Sequence, residues 1–161
     1  MRAFIVRPFG VKEGIDFDRV ERELIQPALA RLREYGLSVQ GGTTGELMRQ
    51  GNIREDMFRL LVIADLVIAD VSIHNANAFY ELGIRHALRP ARTFLIRSES
   101  AHSYPFDLQT DRYFLYDAAD PAAAVAGLAQ ALRATLNSPA SDSPVFRLLP
   151  DLKPHGRGDL V

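Results

Sequence analysis

Leu66-Val67-Ile68-Ala69-Asp70-Val71-Ser72-Ile73-His74-Asn75-Ala76-Asn77-Ala78-Phe79-Tyr80-Glu81-Leu82-Gly83-Ile84-Arg85-His86-Ala87-Leu88 decides the fold. Leu66 to Asp70 is apolar on both faces until its last residue, as a central strand of a parallel sheet requires. A polar turn follows, and Asn77 to Leu88 reads as a helix that Pro90 prevents from continuing. Strand, turn and helix place Asp70, His74, Asn75, Asn77 and Glu81 within one short reach.

Outward from this unit the same alternation recurs. Ala3 to Arg7 reads as a first strand. Asp16 to Tyr35 has helical spacing, with Phe17, Val20, Leu24, Leu29 and Leu32 near one face. Asp16 is its N-cap and Gly36 its stop, and Pro27 predicts a kink or two helical pieces. Leu37 to Gln40 reads as a second strand, ended by Gly41-Gly42-Thr43-Thr44-Gly45. A helix from about Asn52 to Ala64 turns Met57, Phe58, Leu61 and Val62 inward. Arg92 to Arg97 and Arg112 to Tyr116 complete the strands, and Pro121 opens an alanine-rich last helix to Leu136. Between these strands, Ser98 to Asp111 reads as a loop over one end of the sheet.

The expected fold is α/β, with three layers: a five-stranded parallel sheet in flavodoxin-like order 2-1-3-4-5, helices on both faces. Residues 1–137 form this domain. Residues 138–161 form a linker and a partly docked tail, with Val145 to Leu149 returning to the body.

Composition narrows the function. A formal charge of -1 offers no basic field for DNA or RNA, so a nucleic-acid polymer is not an expected partner. The absence of cysteine removes disulfides, thiolate metal sites and cysteine nucleophiles. No apolar run is long enough to span a membrane, and the short run before Pro8 is no signal-peptide core. A cytoplasmic protein is expected. There is no Walker loop, Gly-x-Ser-x-Gly, dinucleotide Gly-x-Gly-x-x-Gly or metal-ligand spacing, so neither metal nor cofactor is expected.

In an open parallel sheet, ligands bind at the carboxyl ends of the strands, where the order switches direction. The residues leaving the strands there are Arg7, Phe9 and Gly10 from the first, Gly41 and Gly42 from the second, and Asp70 to Asn75 from the third. Asn77, Glu81 and Arg85 share one helical stripe. The helix dipole and Arg85 favour an ionised Glu81, whereas packing by Phe79, Tyr80 and Leu82 favours a protonated one. Glu81 therefore has two readings: a working acid, or an anchor paired with Arg85. Asn75 and Asn77 are suited to cap the helix. Gly41 and Gly42 suit a phosphate as well as a tight turn.

Arg7-Pro8-Phe9-Gly10-Val11-Lys12, Ala64 to Asp70, Asn75 to Ala87, Pro105-Phe106-Asp107 and Asp142-Ser143-Pro144-Val145-Phe146 resemble the bacterial relatives of the TRAFs-binding domain, known from the apoptosis-signal-regulating MAP kinase kinase kinases. More distantly, the strand-Asp, Asn-rich turn and helical Glu-Leu-Gly are similar to nucleoside 2-deoxyribosyltransferases and TIR-type NAD glycohydrolases. The resemblance implies a domain that binds a nucleotide or nucleoside, NAD among them. It also implies N-glycosidase chemistry with Glu81 and Asp70 as catalytic residues, Glu81 matching the glutamate beside the sugar, and Asp70, Asn75 and Asn77 of the right type to hold ribose hydroxyls. Arg7, Phe9, Gly10, Gly41, Gly42, His74, Asn75 and Asn77 would hold the ligand. Where the deoxyribosyltransferases carry an acid in the turn, six positions before the glutamate, this chain has Asn75. The alternative that the resemblance implies is a non-catalytic sensor or adaptor in stress or defence signalling. A homo-oligomer and a signalling protein partner are expected with it.

Overall fold

In the computed structural model, which describes residues 1–43, 53–102 and 113–160, the central strand is Leu66–Asp70, every residue of it buried. Strands are β1 (Arg2–Val6), β2 (Val11–Lys12), β3 (Ile15–Asp16), β4 (Gln40–Gly42), β5 (Leu66–Asp70), β6 (Thr93–Ser98) and β7 (Phe114–Tyr116). The main sheet runs β4-β1-β5-β6-β7, and every pair in it is parallel. Counted along the chain without the small β2–β3 ribbon, this is the order 2-1-3-4-5, so the α/β flavodoxin-like architecture stands.

Side-chain alternation sorts the core into two layers. Ala3, Ile5, Leu66 and Ile68 point to one face and meet the helices α1 (Phe17–Val20), α2 (Gln26–Arg31) and α5 (Val125–Asn137). Phe4, Val6, Val67 and Ala69 point to the other and meet α3 (Ile53–Ile63) and α4 (Ala76–Leu88). Among the described residues, no helix is long and apolar enough to cross a membrane.

Several local expectations hold for the predicted reasons. The Asp16 carboxylate accepts from the Arg19 N–H, and Gly36 closes the helical run with φ 75. Pro27 divides that run. A π-helical turn, Glu21–Ile25, ends with the Gln26 N–H on the Glu21 carbonyl, and a fresh helix starts with Pro27 in its first turn, where no N–H is needed. Two expectations fail. Phe58 is 39% exposed, while Met57, Leu61 and Val62 are buried. The second strand is Gln40–Gly42, not Leu37 to Gln40. Leu37 is still closing the helix, its N–H on the Leu32 carbonyl, so pairing starts later. Thr44, Gly45, Asn52, Arg112 and the 103–111 part of the predicted loop lie outside the described residues.

This shift puts Gly41 inside the sheet, opposite Ala3. A Cβ there would stand 2.4 Å from Leu29 Cδ1 and 3.4 Å from Ile5 Cδ1. The glycine lets α2 seat against the edge strand. Gly41→Val is expected to destabilise by about 2 kcal/mol in urea unfolding, with partial recovery when combined with Leu29→Ala. Independent costs that simply add would refute this packing role.

The β2–β3 ribbon was not foreseen. Glu13 (φ 50) and Gly14 (φ 80) form its two-residue turn, the left-handed pair that a tight hairpin needs. The last segment docks on the carboxyl end of α4. The Asp142 and Ser143 N–H groups donate to the Pro90 carbonyl, the Ser143 hydroxyl donates to the His86 carbonyl at 2.6 Å, and helix α6 (Pro144–Leu148) buries Phe146.

Candidate functional site

Glu81 lies in the second turn of α4, half-buried. Among the described residues its carboxylate has no hydrogen-bond or ion-pair partner. Burial alone pushes its pKa up to about 7. A carboxylate in such a place costs stability unless something engages it.

Arg85 does not supply that engagement. Its side chain turns inward, fully buried, and donates to the carbonyls of Leu61 (2.7 Å), Ala64 (3.1 Å), Ala91 (3.2 Å) and Arg92 (3.3 Å) and to the Thr93 hydroxyl (3.4 Å). The anchoring ion pair expected at the i, i+4 spacing is therefore absent. The cause is competition: the last carbonyls of α3 lack helical partners, and a five-donor guanidinium satisfies them at close range. Burial lowers the Arg85 pKa to about 9, so it stays charged at neutral pH.

Asp70 ends β5 on the other side of the sheet from α4. Its parity is that of Leu66 and Ile68, which face α1, α2 and α5, whereas Ala78 and Leu82 of α4 meet Val67 and Ala69. Asp70 Oδ1 accepts from the Ser72 N–H (3.0 Å) and the Ser72 hydroxyl (2.6 Å), and Oδ2 accepts from the Tyr116 hydroxyl (2.7 Å). Burial raises the Asp70 pKa, and these bonds and the Arg7 charge oppose it. Burial and the Asp70 charge likewise hold the Tyr116 hydroxyl protonated. Asp70 does not figure among the causes of the Glu81 shift, which burial accounts for.

Arg7 leaves β1 with its side chain only 8% exposed, tied to Glu21 through Nε and to Asp18 (2.7 Å) and the Pro8 carbonyl through Nη1. Its charge is therefore met by two carboxylates within the chain, and the Arg7 bond holds the Asp18 pKa down. The guanidinium also lies 5.1 Å from the centre of the exposed Phe9 ring. Gly10 has φ 69 and open space where a Cβ would stand. The Asn75 side chain accepts from the Ala78 N–H at 3.0 Å, which is the capping reading. His74 and Asn77 are exposed, and the His74 ring meets Phe79 edge-on. Gly41 supports α2, as above, and Gly42 is buried in the strand beside it.

The structure thus gathers Arg7, Phe9 and Gly10 at the end of β1 and Asp70 with its donors at the end of β5. Glu81 stands apart on the helix that follows. Sequence reasoning missed Ser72, Tyr116, Glu21 and Asp18. Tyr116 had a signal, because it ends the fifth strand at the same rim as Asp70. Asp18 and Glu21 stand three apart on one helical face, but only the folded chain shows that this face meets Arg7. No protein-family model and no curated protein matches the chain.

Proposed function

We propose that this chain binds a nucleoside or nucleotide, NAD among the candidates, and cleaves its N-glycosidic bond with Glu81 as the working carboxylate. The observation that carries the reading is the state of Glu81: half-buried, without a partner among the described residues, and raised to about 7 by burial. The carboxylate oxygens are not among the buried unpartnered polar atoms, so the group is open to a ligand rather than committed to a protein donor. Cleavage of a C–N bond at a sugar builds positive charge on the anomeric carbon, and a carboxylate on the opposite face stabilises or captures it. The bonding pair leaves with the base, and water releases the sugar from the carboxylate.

A second reading is favoured by a separate observation. Asn75 is committed to the helix cap and both oxygens of Asp70 to protein donors, so neither is poised to protonate a leaving base. That arrangement suits a cytoplasmic sensor or adaptor, related to the TRAFs-binding domain, that holds a nucleotide or a signalling protein without turnover. We place a homo-oligomer with either reading.

The test is incubation with NAD and a nucleoside panel, with free base followed by chromatography, beside Glu81→Gln. Base release by the wild type that the variant lacks is the expected result. Binding without release at high protein concentration would leave the adaptor reading. Equal release by both proteins would remove Glu81 from the chemistry.

A further inference from the structure

The polar cluster at the carboxyl ends of β5, β6 and β7 has no part in the chemistry assigned to Glu81, yet it is extensively bonded. Asp70 is 1% exposed at the end of an otherwise apolar strand. Leaving a carboxylate there is costly, and the three donors from Ser72 and Tyr116 offset that cost. The Ser72 hydroxyl also accepts from the Ser98 N–H at 2.8 Å, and the Val71 N–H reaches the Ile96 carbonyl at 3.0 Å. The short turn Val71 to Asn75 is thereby tied to β6 and β7 at its start and to α4 at its end, through the Asn75 cap. Glu81 follows that cap by less than two helical turns.

We propose that Asp70, acting with Ser72 and Tyr116, is a positioning residue: by holding the turn against β6 and β7 it sets where α4 begins and how deeply Glu81 sits. The inference rests on the reading of Glu81 as the working carboxylate. Its physical content is that a loosened turn lets α4 shift and water reach Glu81.

The experiment follows the Glu81 carboxyl by carbon-13 NMR through a pH titration of the full chain, its signal assigned by loss in Glu81→Gln. Asp70→Asn, Ser72→Ala and Tyr116→Phe are compared with Leu132→Ala, a core truncation in α5 on the opposite face from α4. The wild-type midpoint is expected near 7. It should fall by about one unit in Asp70→Asn, less in Tyr116→Phe, and stay in place in Leu132→Ala. Tyr116→Phe and Ser72→Ala carry the same comparison if Asp70→Asn does not fold. An unchanged midpoint in the folded variants overturns the proposal, and so does an equal fall in Leu132→Ala. The readout needs no substrate, so absent turnover would count against the N-glycosidase reading alone.

Discussion

Glu81→Gln is expected to abolish base release, by about a thousandfold or more, and at the same time to make the protein more stable at pH 8. The second effect follows from the titration. The native state holds the Glu81 proton up to about 7, against an ordinary value of 4.5. Between those values the native state binds more protons than the unfolded chain, so stability falls as pH rises through that window. Partial exposure tempers the cost, which is on the order of 2 kcal/mol at pH 8. Glutamine carries no charge and avoids it. Urea unfolding should therefore show the variant more stable than the parent at pH 8 and close to it near pH 4, where the carboxyl is protonated. A variant less stable at pH 8 would mean that Glu81 is an anchor after all. The same titration predicts that base release by the wild type rises as pH passes through 7, because only the ionised carboxylate can meet the sugar cation.

Arg85→Met should have the opposite character: no pH-dependent gain and a large loss of stability, about 4 kcal/mol. The methionine fills much of the space but leaves the carbonyls of Leu61, Ala64, Ala91 and Arg92 without the donors that now reach them. These groups lie where the end of α3 meets the start of β6, with no room for bulk water at the buried guanidinium. A loss of that size is a large share of the stability of a domain this long. Arg85→Lys should recover only part of it, because one ammonium cannot span acceptors set around a planar fork. Thermal unfolding by circular dichroism measures both variants, and a methionine variant as stable as the parent would refute the role.

The sequence was most legible where the pattern is short in range. Leu66 to Asp70 is a strand with the expected bounds, Asp16 and Gly36 cap the helical run as expected, and the break at Pro27 is present as a π turn. Each depends on neighbours within a few positions. The edge strand was misplaced because an edge has only one pairing partner to announce it, and because glycine pairs signal turns more often than strands. Phe58 was assigned inward on spacing alone, which cannot separate the middle of a helical face from its margin.

The candidate site divides along the same line. That Asn75 caps α4 and that strand ends converge at one rim follows from local pattern and sheet topology. Which partner each charged group takes does not. Arg85 stands one turn from Glu81 yet directs its donors to the end of α3, while Arg7 finds Glu21 beyond the β2–β3 ribbon and α1, and Asp70 finds Tyr116 two strands away. Periodicity is written in consecutive residues, so the chain alone determined the alternation of elements, the layers and the helix that carries Glu81. Hydrogen-bond partners are chosen among all groups that folding brings within reach, and only the tertiary structure left this carboxylate without one among the described residues.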